Sequence, residues 1–205
     1  MLPLHVAVTT VTFSKSVFPP IAVGFFGLAT GYLIYGAQEL FGYPSRPNEK
    51  VDLTTGIWGV WMPGFMQFIT GVYLFVGLTW FGSFQGSPPL YMAALAFTAY
   101  GVHWWALGMQ RAMGGDPRPN ALMSIAFLVL SVLGIIVFLH HGADDPVGGV
   151  FIGLTAVYIC EFFATFHLPL AEKALGLSRL ATAGWLLYLT CAAALNFAAG
   201  YHLTL

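Results

Sequence analysis

The chain has 205 residues, 58% of them hydrophobic and only 7% charged, with a net charge of -1. A soluble domain carries about 25% charged residues, so this composition excludes an ordinary water-soluble fold, and the missing positive excess excludes a basic nucleic-acid-binding surface. Mean hydropathy is +0.79. Seven Lys and Arg and eight Asp and Glu are present. All but one, Glu161, lie between or at the ends of long apolar runs, as suits a chain held in lipid, where an isolated ion is costly.

A helix needs about 20 mostly apolar residues to cross a bilayer. Six segments qualify, at about residues 18–40, 55–81, 89–109, 120–140, 147–167 and 180–201. They predict an all-α fold, an integral membrane bundle of six transmembrane helices forming a single domain over residues 1–205. Met1 to Ser14 lacks the basic start of a signal peptide, so the first span is expected to direct insertion. Gly and Pro mark the breaks: Tyr43 to Asn48, Gly82 to Pro88, Gly114 to Pro119 and Gly142 to Pro146. Pro63 lies inside the second span and predicts a kink there.

Positive charge is unevenly divided. Arg46, Lys50, Arg111, Arg118, Lys173 and Arg179 fall in the first, third and fifth loops, and Lys15 alone lies elsewhere. The positive-inside rule then puts those loops in the cytoplasm, with both termini, His140, His141, Asp144 and Asp145 outside, in the plasma membrane.

Small residues form stripes at helical spacing: Gly24, Gly27 and Gly31 on span one; Gly184, Cys191, Ala194 and Ala198 on span six. Such stripes let helix backbones approach closely, within the chain or between subunits. Cys160 and Cys191 sit within apolar runs and read as small core residues; no metal site and no cofactor is expected. No serine triad, HExxH, phosphate loop or CxxC is present, which argues against an enzyme.

The polar residues inside the spans are the candidates for function. Glu161 stands about fourteen residues into span five, and His103 equally deep into span three, which runs in the same direction. They are expected at one level of the membrane, where a His–Glu pair could bind or relay a proton; a protonated acid bonded to a neighbouring helix is the plainer alternative. Gln67, Thr70, Thr98, Tyr100, Thr155 and Asn196 either bond between helices or line a narrow polar path. Trp80 and Trp185 suit the interfacial belt, while Trp104 lies deeper, at a position to pack beside a pore.

The stretch Ala96-Phe97-Thr98-Ala99-Tyr100-Gly101-Val102-His103-Trp104 resembles a motif of the acetate uptake transporters, the succinate–acetate permease family. Ala183-Gly184-Trp185 with Cys191 to Ala194 and Gly200 resembles that family's last helix, and Gly64 to Gln67 with Gly71 and Leu154-Thr155 echo it more weakly. The resemblance implies a hexameric ring with a separate path for acetate or a similar small monocarboxylate in each subunit. It also implies a constriction at Phe26, Tyr100 and Leu154. The solute path would include Gln67, Thr98, Trp104 and Asn196, and His103 and Glu161 would set a pH response or couple a proton. The partners implied are a small solute, the bilayer and further copies of the chain.

The family's signature before and within helix one is replaced by Val17-Phe18-Pro19-Pro20-Ile21-Ala22-Val23, an aromatic becomes His103, and an acidic residue becomes Leu74. The charge pattern, with Asp116-Pro117-Arg118-Pro119 and His167-Leu168-Pro169-Leu170, is similar to that of the urea and amide channels, also hexamers of six-helix subunits. A urea or short-amide channel is the alternative, and a non-transport membrane scaffold subunit a third.

Overall fold

Peptide groups shielded from water must bond within their own segment, and the long apolar runs do so as helices in this computed structural model. The structure describes residues 18–84, 86–140 and 144–205; the expectations placed on Lys15 and the other N-terminal residues, and on His141, fall outside them. Among the described residues all regular structure is helical. The rods are α1 (Phe18–Phe41), α2 (Glu49–Thr79), α3 (Leu90–Met113), α4 (Pro119–His140), α5 (Asp145–Ala164) and α6 (Pro169–Ala199).

Five of the six are long and apolar enough to cross a bilayer. The remaining one, α3, has 24 residues but carries Thr98, Tyr100, His103, Gln110 and Arg111. Its neighbours shield it: Ala93, Ala94, Ala96, Phe97, Tyr100, Gly101, His103, Trp104 and Gly108 are all buried. Burial inside protein lets this rod carry polar groups that a lipid-facing helix would not tolerate.

Two helices begin earlier than composition suggests. α2 starts at Glu49, where the Asn48 side chain accepts from Lys50 N at 3.1 Å and Val51 N at 3.2 Å. α6 starts at Pro169, so Lys173 and Arg179 are helical residues and the connection before it shrinks to Thr165 to Leu168. Apolar runs end at charges, but helices continue through charges that find partners.

Pro63 has no N–H to give, and α2 accommodates it with a π-helical turn over Val60–Phe65. The widened turn presents Pro63 to Gly31, where a Cβ would stand 2.6 Å from the proline Cγ. Gly27 likewise meets the Met62 carbonyl and Gly24 meets Phe97 of α3 and Thr70 of α2, so the glycine stripe of α1 is spent on packing within the chain. The α6 stripe has no such partner among the described residues: Gly184, Cys191, Ala194 and Ala198 are all exposed.

Each rod packs on its chain neighbours, most lightly between α3 and α4, and an extensive α1–α6 contact closes the circle. A closed circle of six rods leaves space along its axis. Large side chains turn into that space.

Candidate solute path

Two cavities lie in the bundle, one toward each end. The narrow one, about 80 Å³, is lined by Ile21, Phe25 and Leu28 of α1, Gln67 of α2, Phe97 and Tyr100 of α3, and Val150, Phe151 and Leu154 of α5. Asp144 stands among its lining residues and caps α5 by accepting from Val147 N at 2.9 Å; burial pushes its carboxyl up from the ordinary range. The wide one, about 600 Å³, lies at the end formed by the first, third and fifth loops. It is lined by Tyr35, Gln38 and Glu39 of α1, Leu107 and Arg111 of α3, Glu161 of α5 and Arg179 of α6.

The cavities are separated by the same helical distance on three rods. The last narrow-cavity residue and the first wide-cavity residue are Leu28 and Tyr35 on α1, Tyr100 and Leu107 on α3, and Leu154 and Glu161 on α5. Each pair is two turns apart, roughly 10 Å at 1.5 Å per residue. Aromatic rings fill that layer. Trp104 meets Tyr32 with centroids 5.7 Å apart and takes the edge of Tyr35 at 5.0 Å and 85°. Tyr158 stacks on Tyr100 at 5.8 Å and on Phe127 at 5.4 Å. Trp104, Tyr32 and Tyr158 are each 1% exposed, so the layer is a closed septum.

The wall of the wide cavity is charged and connected. Arg179 donates through Nη1 to Glu39 Oε1, and its Nη2 lies 3.4 Å from Glu161 Oε1. The second oxygens of both carboxylates and Nε of Arg179 are buried without a hydrogen-bond partner. Arg111 donates through Nη2 to Gln38 Oε1 at 2.5 Å and lies 2.7 Å from Asp52 through Nε. Gln38 in turn donates to Thr55 Oγ1 at 2.7 Å, and Arg46 reaches Asp52 at 2.5 Å. Outside the helices, hydrogen bonds from Arg118 hold the Asp116 carboxyl down to about 2.

The sequence candidates divide clearly. Tyr100, Leu154 and Gln67 line the narrow cavity, and Trp104 forms the septum. Tyr100 exchanges a hydrogen bond with Ser131 Oγ at 2.9 Å, while Gln67 Oε1 is buried without a partner. Phe26 does not face the axis: it is 44% exposed on the outer surface with Val23 and Leu33. Its neighbour Phe25 takes the inward place, because one residue turns a helix by about 100°. Thr98 donates to Ala94 O at 2.8 Å and packs at Gly71 of α2, lining neither cavity. Asn196 likewise lines neither cavity; its amide donates to Leu203 O and accepts from Leu203 N, both at 2.8 Å, and so fastens the C-terminal segment.

His103 and Glu161 are not paired. His103 Nδ1 lies 3.3 Å from Tyr158 Oη, whereas Glu161 faces Arg179. One turn of α5 separates the two contacts. Arg179 and Glu39 are the residues that composition missed, since both stand where an apolar run ends. Periodicity carries the signal: Leu175, Arg179, Thr182, Leu186 and Leu189 follow one buried face of α6, and Arg179 belongs to it. Among the described residues no three His, Cys, Asp or Glu side chains gather to hold a metal ion.

No protein-family model matches the sequence, and no curated protein does. A search of solved structures finds the bacterial acetate channel SatP with a TM-score of 0.71 at 15% identity, covering 92% of this chain and 96% of that one. The six-helix bundle of the resemblance is observed: this chain is a multi-pass helical membrane bundle with the architecture of the acetate channel SatP.

Proposed function

We propose that the chain is a channel for very small solutes, with acetate and related short monocarboxylates as the first substrate class. The observation that carries this reading is the pair of cavities facing opposite ends of one bundle, divided by an aromatic septum about 10 Å thick. Such a septum favours a small, poorly hydrated solute, because leaving water costs an ion its hydration. The likeness to SatP supports the same class. Phe25, Tyr100 and Leu154 form the narrow entrance, Tyr32, Trp104 and Tyr158 the septum, and Arg179 and Arg111 stand with Glu39 and Glu161 in the charged wall of the wide cavity.

The uneven division of Lys and Arg supports a cytoplasmic position for the wide cavity, with the chain in the plasma membrane. The exposed small-residue stripe of α6 is the surface on which copies of the chain would pack into a ring, a hexamer by the sequence resemblance. His103 and Glu161 remain the candidates for a pH response, acting separately. The chain moves its solute and does not transform it.

One observation favours a second reading, a urea or short-amide channel. Glu39 Oε2, Glu161 Oε2 and Gln67 Oε1 are buried acceptors without donors. A solute with N–H groups would satisfy them, and acetate has none. Flux of acetate, acetamide and urea into vesicles holding the purified protein, across a pH series, decides between the two. Saturable acetate flux exceeding amide flux supports the first reading; urea or acetamide flux without acetate flux replaces it with the second.

A further inference from the structure

The guanidinium of Arg179 has two usable edges, and they are unequally filled. The end bearing Nη1 is held closely by Glu39. The side edge, formed by Nε and Nη2, faces Glu161 at 3.4 Å through Nη2 alone, while Nε is buried with no partner. A charge-assisted N–H···O contact settles at about 2.7–2.9 Å, and an arginine edge fits a carboxylate through two parallel bonds. Glu161 makes neither arrangement, and its own Oε2 is also unpartnered. Arg179 and Glu161 are 3% and 4% exposed, and both line the wide cavity. The unfilled edge is thus a carboxylate fork on a residue that lines a space large enough for a molecule of a few heavy atoms.

We propose that the Nε/Nη2 edge of Arg179 binds the carboxylate of the transported solute, and that Glu161 is its built-in competitor. This rests on the monocarboxylate reading and names the residue that selects for it. Glu39 anchors the arginine from the far end, so the side edge is presented in a fixed orientation. With both glutamates ionised, the trio carries one excess negative charge. The second carboxylate therefore keeps anion affinity low, which lets the solute leave again. Passage needs binding weak enough to release.

The test is uptake of labelled acetate and acetamide into proteoliposomes at fixed pH. Removing one negative charge at about 6 Å, with an effective dielectric near 20, strengthens anion binding by about a hundredfold. Glu161→Gln is therefore expected to lower the half-saturation concentration for acetate about a hundredfold and not to lower that for acetamide. Arg179→Lys keeps the charge but loses the fork, and is expected to raise the acetate value with no change for acetamide. In the unmodified protein, propionate is expected to inhibit acetate uptake more strongly than propionamide at equal concentration, a measurement that needs no variant to fold. Acetate uptake with an unchanged half-saturation in Glu161→Gln, or equal inhibition by propionate and propionamide, overturns this inference alone. Absence of acetate uptake by the unmodified protein removes the monocarboxylate reading, and this inference with it.

Discussion

Trp104→Ala addresses the septum directly. Trp104 is 1% exposed and touches two of the rings that separate the cavities, Tyr32 at 5.7 Å and Tyr35 at 5.0 Å. Its loss frees both tyrosines to move and joins spaces that stand two helical turns apart on α1, α3 and α5. Emptying so large a buried site costs about 3–5 kcal/mol of stability, which should lower the thermal midpoint in detergent. The transport barrier should fall at the same time, and a tenfold faster flux needs only about 1.4 kcal/mol. Stopped-flow swelling of vesicles should therefore show acetate entering at least tenfold faster through Trp104→Ala, with larger acids such as lactate now admitted. Trp104→Phe should fall between the two. A folded Trp104→Ala protein with unchanged acetate permeability would refute the reasoning, since the path would then not cross this layer.

Arg179→Gln leaves Glu39 and Glu161 buried without their shared cation, and should cost about 3–5 kcal/mol; the triple change with Glu39→Gln and Glu161→Gln should restore part of the lost thermal midpoint. Phe25→Ala should alter the rate or size limit of flux, while Phe26→Ala, on the outer surface, should leave both unchanged in the same vesicles. Gly101→Ala would put a Cβ 2.6 Å from Phe68 N and 2.8 Å from Gly64 O, both backbone atoms, and should lower stability by about 1–3 kcal/mol in a denaturation series. The Asp116 carboxyl, held down to about 2 by Arg118, should titrate near there by carbon-13 NMR of the solubilised protein. Its contribution to stability is present above the unfolded carboxyl range and is lost as pH falls through about 2. Arg118→Gln should return it toward the ordinary value.

How much of this was legible in the sequence depended on whether the signal was local. The lipid-facing rods are visible in composition because each must be apolar on its own. The irregular turn at Pro63 and the burial of Tyr100, Trp104 and Glu161 follow from residue type and depth. Facing is harder: Phe25 and Phe26 are neighbours of one kind, and only the rotation of α1 against five other rods decides which turns inward. Partnerships are harder still. His103 and Glu161 share a depth, but Tyr158 and Arg179 took the contacts that equal depth suggested they would make with each other. Arg179 was hidden because a charge ends an apolar run whether or not the helix goes on. A buried charge with partners on two other helices cannot be distinguished by composition from one in a loop.

Passage of a small monocarboxylate along the axis of a single bundle is the proposed activity. The most direct measurement is acetate uptake into vesicles with and without the purified protein, corrected for acetic acid crossing the bare bilayer. Saturable uptake well above the empty vesicles, speeded by Trp104→Ala, is the predicted result. Uptake no faster than in empty vesicles would contradict it.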